Sequence, residues 1–183
     1  MRERIKEPLA PEVITYLFNK QVFDHLERDF KHLMWINNAH AIMLLKQDIL
    51  PKKIIHTLLN ALKDMQRDGI DQLDFDPNLE DTYLNMEYVL IQKVGQEVGG
   101  RLHTGRSRND LYSTMTRLAV REQFLSISKA LLDLREIILS MAHSHSETVM
   151  PGYTHLQPAQ PTTLGHHLVS VAIALERDSS RFL

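Results

Sequence analysis

Two polar segments concentrate the residues able to do chemistry. The first is Gly100-Arg101-Leu102-His103-Thr104-Gly105-Arg106-Ser107-Arg108-Asn109-Asp110, and the second is Gly152-Tyr153-Thr154-His155-Leu156-Gln157-Pro158-Ala159-Gln160-Pro161. The first carries three arginines and no acid before Asp110. Guanidinium, hydroxyl and amide donors gathered in this way suit a small, multiply charged anion such as a dicarboxylate. Ser107-Arg108-Asn109-Asp110 also has the Ser-x-x-Asp form of a capping box. It predicts a helix start at this point, whose free backbone N–H groups favour an anion. In the second segment, Thr154 and His155 precede Gln157 and Gln160, and a histidine held in a polar loop can transfer protons near neutral pH.

Each segment also has a plainer reading. The first reads equally as a helix cap with solvated arginines, the second as a Pro-rich turn with a hydrogen-bonded histidine. The remaining histidines offer less. His143 and His145 are two apart and point to different sides of a helix, and the adjacent His166 and His167 also diverge. Neither pair gives the converging ligands that zinc requires, so no metal site is expected and the residues call for no cofactor. The eight methionines fall mostly on apolar faces and read as core filler.

Long helices must position these segments. Strand-like alternation is almost absent, and the pattern predicts an all-α chain. Helical periodicity runs from Pro11 to Asp48 (with a break near Asn19), then over Pro51–Asp68, Glu80–Val98 and Asn109–Glu147, and from Pro161 onward. Pro51 and Pro161 sit where a first helical turn tolerates proline, and Gly69 and Gly99-Gly100 read as stops. Asp71 to Pro77 reads as a solvated loop. In the Asn109–Glu147 pattern, Val120, Phe124, Ile127, Leu131, Leu134, Ile138 and Met141 alternate steps of four and three, and Leu118, Leu125, Leu132 and Leu139 form a second row at sevens. Together they make a face wide enough for a central bundle helix. Its 39 residues would span ~58 Å, and the helix after Pro161 should run back antiparallel. A straight helix of that length keeps the two segments apart, so a site using both would draw them from neighbouring copies. The organisation expected is a small helical N-terminal domain over 1–98, then the start of a long-helix bundle over 99–183. The apolar pattern is still running at Leu183, as in a chain cut inside a helix.

Composition narrows the class. The 183 residues are 43% hydrophobic and 24% charged, enough to fold around a sizeable core. With 21 basic and 23 acidic residues the net charge is −2, which argues for neither nucleic acid nor an anionic membrane as partner. Without cysteine there is neither a disulfide nor thiol catalysis, which fits a cytoplasmic setting. The charged Met1-Arg2-Glu3-Arg4-Ile5-Lys6-Glu7 lacks the apolar core of a signal peptide, and no apolar run is long enough to span a bilayer.

On these residues the chain resembles the argininosuccinate lyase family of the fumarase/aspartase superfamily. The Gly100–Asp110 string, the Gly152–Pro161 string, their separation, and Ala174-Leu175-Glu176-Arg177-Asp178-Ser179 all match. The likeness is strong from about Glu80 onward and faint before it. It implies anti elimination across a C–N bond with release of fumarate, in a homotetramer of arginine biosynthesis acting on a small dicarboxylate-containing substrate. By the same resemblance Ser107, Arg108, Asn109, Thr154 and Gln157 would bind substrate, and His155 would act in proton transfer. The family's third region, with a serine near Met-Pro-x-Lys, does not occur in these residues.

There are departures. The family's Asp-x-His reads Asp81-Thr82-Tyr83, with Tyr83 in place of histidine. The early Gly-Gly-Arg-Phe is missing, and Gln21 and Val22 stand where a substrate-binding serine is expected. Pro158 and Thr162-Thr163 resemble the adenylosuccinate lyase branch instead. Two rivals follow. One is a related lyase acting on another N-succinyl compound. The other is a non-enzymatic helical protein, since members of the family also serve as lens crystallins.

Overall fold

The structure, a computed structural model, describes residues 10–18, 25–72 and 76–182. The segment Met1 to Glu7, the break near Asn19, Gln21 and Val22, and the middle of the Asp71–Pro77 loop lie outside them. The chain divides into two compact units, Met1–Ala119 and Val120–Leu183. As its periodicity predicts, the described residues form helices, with one two-stranded hairpin added.

In the first unit a short helical turn, α1 (Pro11–Val13), continues as a π-helical stretch over Ile14–Phe18. Three helices then build the core: α2 (Leu26–Lys46), α3 (Lys52–Asp68) and α4 (Thr82–Val94). Each buries one face. Phe30, Leu33, Met34, Asn37, Ala41 and Leu44 follow helical spacing along α2, and Ile55, Leu58, Leu62 and Met65 do so along α3. Tyr83, Met86 and Leu90 of α4 join the same core. Truncating one of its fully buried leucines, such as Leu33 or Leu58, removes transfer energy and leaves a cavity, at a cost of about 2–5 kcal/mol.

The helix ends follow their sequence signals. Asp81 caps α4, its carboxylate accepting from the Leu84 amide at 2.8 Å. Gly69 and Gly95 end α3 and α4 at φ 77° and 82°. The periodicity predicts one helix over Glu80–Val98. Instead Gly95 breaks it, and a single turn, α5 (Gln96–Gly99), leads into a 3-10 turn at Gly100–His103. Helix α6 (Arg108–Ser144) begins in this unit, where Leu111 and Met115 are buried.

In the second unit the rest of α6 packs antiparallel to α7 (Leu164–Arg181). Phe124 meets Phe182 at 5.1 Å between ring centroids, and Arg135 pairs with Glu176 at 3.0 Å. Between them lies the feature that the periodicity does not foretell. Pro161 does not open a helix. It belongs to β2 (Gln157–Thr163), which pairs antiparallel with β1 (Val149–Thr154), Pro151 facing Pro161. Prolines are tolerated because, among the described residues, each strand has one neighbour. The helix start moves to Thr163, whose hydroxyl accepts from the His166 amide at 3.1 Å.

Candidate functional site

The first segment closes the N-terminus of α6. The Ser107 hydroxyl accepts from the Asn109 amide at 3.1 Å, and the Asp110 carboxylate accepts from the Ser107 amide at 2.8 Å. That is a capping box turned on a Ser–Asp pair. Ser107, Arg108 and Asn109 are all exposed at this start, where the helix favours negative charge.

Arg108 is not a free cation. Its Nη1 donates to Asp81 at 2.9 Å and to Glu80 at 3.3 Å. Burial works against its charge, but the Asp81 and then the Glu80 carboxylate outweigh it and hold the guanidinium above its ordinary value. Asp81 therefore caps α4 and anchors the start of α6 with the same carboxylate. Arg106 turns inward instead. Its Nη2 donates to Asn37 of α2 at 2.5 Å, and its carbon centre lies 6.0 Å from the centroid of the Tyr83 ring. Burial lowers its pKa, opposed by Tyr83 and Glu87.

Behind this turn lies a polar cluster that residue spacing does not foretell. The Tyr83 hydroxyl donates to Glu87 at 2.8 Å and lies 2.7 Å from His103 Nδ1. His40 of α2 holds the Thr104 carbonyl at 2.9 Å through Nε2. Burial lowers the pKa of both histidines, and the Arg106 charge adds to the effect. Burial likewise raises that of Tyr83, helped by Glu87. His40 could not have been found from spacing, since only the fold brings it to a residue 64 positions away.

The second segment is assembled in the other unit. Thr154 and Gln157 face one another as the last pair of the hairpin, and His155-Leu156 form its two-residue turn. Both turn residues have positive φ, 51° and 64°, the backbone of a type I′ turn. Neither is glycine or asparagine, so both hold a conformation that costs about 1–2 kcal/mol per residue in L-amino acids. Strain kept in this way marks a place worth testing for function. Thr154, His155 and Gln157 are exposed, and Leu156 is 92% exposed.

Thus Ser107, Arg108 and Asn109 gather at one helix start, and Thr154, His155 and Gln157 gather at one hairpin tip. Among the described residues no helix is long and apolar enough to cross a membrane.

Known proteins resemble the chain along nearly its whole length. The model of a family described as lyase matches residues 17–183. A protein named argininosuccinate lyase from Methanocaldococcus jannaschii is 42% identical over 179 residues, covering 98% of this chain and 36% of the relative. Argininosuccinate lyase 1 of Shouchella clausii is 38% identical over 178 residues, covering 97% and 36%. The chain therefore spans little more than a third of these relatives. Among solved structures, EDDS lyase in complex with formate superposes with a TM-score of 0.77 at 33% identity, over all of this chain and 36% of that one. A variant of EDDS lyase with bound fumarate gives the same TM-score and identity, over 97% and 35%.

Proposed function

The chain belongs to the lyase family, and from that membership we propose that the whole protein cleaves the C–N bond of argininosuccinate by elimination, giving arginine and fumarate. The observation that carries the reading is the placement of His155. It sits at the tip of a strained two-residue turn, flanked by Thr154 and Gln157, where a proton-transfer residue meets substrate without crossing the fold. The relatives named argininosuccinate lyase support the choice of substrate.

The chemistry follows from the groups present. A proton leaves the carbon next to a carboxylate, and the electron pair passes into that carboxylate as a resonance-stabilised dianion. The C–N bond then breaks as the guanidino nitrogen of arginine departs with a proton. Donors already aimed at the developing charge supply much of the rate. The Ser107 hydroxyl and the Asn109 side-chain amide are such donors, and Arg108 adds a guanidinium that is already paired with Asp81 and Glu80 through Nη1. Thr154 holds a carboxylate of the substrate, Gln157 offers its own side-chain amide to the substrate, and His155 moves the proton.

The resemblance implies a homotetramer, within the cytoplasm, and active sites completed by loops of neighbouring copies. Hybrids made by mixing Asn109→Ala and His155→Ala proteins after dissociation should regain activity, because some sites then carry neither change. No regained turnover would refute shared sites.

A second reading rests on Tyr83 and on EDDS lyase: elimination of fumarate from a different N-succinyl compound. Incubating the protein translated from its whole reading frame with argininosuccinate and following fumarate absorbance separates the readings. Fumarate from argininosuccinate supports the first, and release only from another succinyl amine supports the second. Silence across the panel leaves a helical protein without this activity.

A further inference from the structure

We propose that Tyr83 is a positioning residue for the anion-receiving turn, clamping residues 103–106 to α4 so that Ser107, Arg108 and Asn109 present their donors in one arrangement. The proposal rests on the reading of those three as substrate-binding residues.

Among the described residues, three ties hold the turn to the helices behind it. His40 of α2 takes the Thr104 carbonyl, Asn37 of α2 takes Arg106, and Tyr83 of α4 takes His103. The Tyr83 tie reaches two of the turn's side chains. The hydroxyl has one proton and gives it to Glu87, so its oxygen accepts from His103 Nδ1–H. The chain of donors runs from His103 through Tyr83 to Glu87 and fixes the ring's tautomer and angle. The face of the same phenol lies near the Arg106 guanidinium, and its ring stands 5.2 Å from that of His103. Tyr83 is 4% exposed, so it cannot swing away without opening the core.

The cluster leaves little room for a ligand. The void lined by Asn37, Tyr83, Glu87 and Leu90 is about 10 Å³, room for no more than one water. The Tyr83 hydroxyl, Glu87, His103 Nδ1, Asn37 Oδ1 and Arg106 Nη2 are used on one another, whereas Arg106 Nε and Nη1 are buried with no hydrogen-bond partner among the described residues. A phenol spans this gap because its hydroxyl stands well beyond the ring, level with both Glu87 and His103.

Two variants test the idea. Tyr83→Phe keeps the ring and removes the hydroxyl. His103→Gln breaks the same bond from the turn without touching the core. In both, amide exchange across residues 100–110 should quicken on the order of tenfold, while α2 and α3 keep their protection. KM for argininosuccinate should rise by a similar factor, with kcat held within about threefold, as expected when a binding surface loosens and the reacting groups remain. Unchanged exchange in both variants overturns the proposal. So does exchange that quickens evenly over the whole core, which would make Tyr83 a packing residue only. If the unaltered protein turns over no succinyl compound, the proposed function fails, and the exchange pattern still decides the role of Tyr83.

Discussion

His155 and its neighbour occupy a backbone region that most residues avoid, and this separates two roles for the histidine. Asparagine is at ease at positive φ, so His155→Asn leaves the turn intact or firmer. A proton-transfer role predicts that kcat falls about a hundredfold with KM little changed, a typical loss for such a group. Melting temperature should hold or rise. Near-normal turnover with a lower melting temperature would make His155 a scaffold residue. Behind the other segment, His40 and His103 have pKa values pushed below the ordinary histidine value, chiefly by burial. The unfolded chain then binds their protons more readily than the folded one. Their contribution to stability is whole above the unfolded value, about 6.5, and shrinks as pH falls from there towards the folded values. A denaturation midpoint measured from pH 7.5 down to 5 should fall below pH 6.5, and His103→Gln should flatten part of that fall. An unchanged midpoint would exclude the two rings from the balance. At this scale the sequence told much. Ser107-x-x-Asp110 forms the box its spacing predicts, because capping depends only on local backbone. The pairing of Arg108 with Asp81 and the cluster around Tyr83 were not legible, because they join residues that only packing brings together.

The turn between α6 and α7 depends on a close approach rather than on side chains. A Cβ built on Gly165 would come within 2.6 Å of the Ala142 carbonyl oxygen and 2.9 Å of the Ser146 Cα. Both neighbours are backbone and cannot step aside. Gly165→Ala should therefore cost about 1–3 kcal/mol, the range for overpacking, and should loosen the hairpin that carries His155. Thermal unfolding of the paired proteins checks the first expectation, and amide exchange over residues 149–163 checks the second. A variant of unchanged stability would show that the junction opens freely. The helices were legible wherever an apolar face repeats at 3.6 residues, as along α3 and α6. The hairpin was not, since Pro151, Pro158 and Pro161 read as breakers and no alternation marks its strands. Its pairing comes from the two-residue turn and from helices at both ends, neither of which hydrophobic periodicity records.

As a whole the chain leaves much apolar surface uncovered. Val120, Leu125, Ile127, Leu132 and Ile137 of α6 are each more than half exposed, and their spacing continues around the helix. Faces of this kind drive association in water. The 183-residue chain should therefore self-associate and, without the third region that the resemblance calls for, should be inactive by itself. Light scattering that shows a clean monomer, or fumarate release from this chain, would contradict that. The manner of association follows from the hairpin. A bare strand edge ordinarily invites another strand to dock in register, which is how sheets spread from molecule to molecule. Here Pro151 and Pro158 and Pro161 have no amide hydrogen to offer, so neither strand can serve as an unbroken template. Whatever these chains build when concentrated should consequently be helical, reversible and limited in size, and should not be a growing fibril.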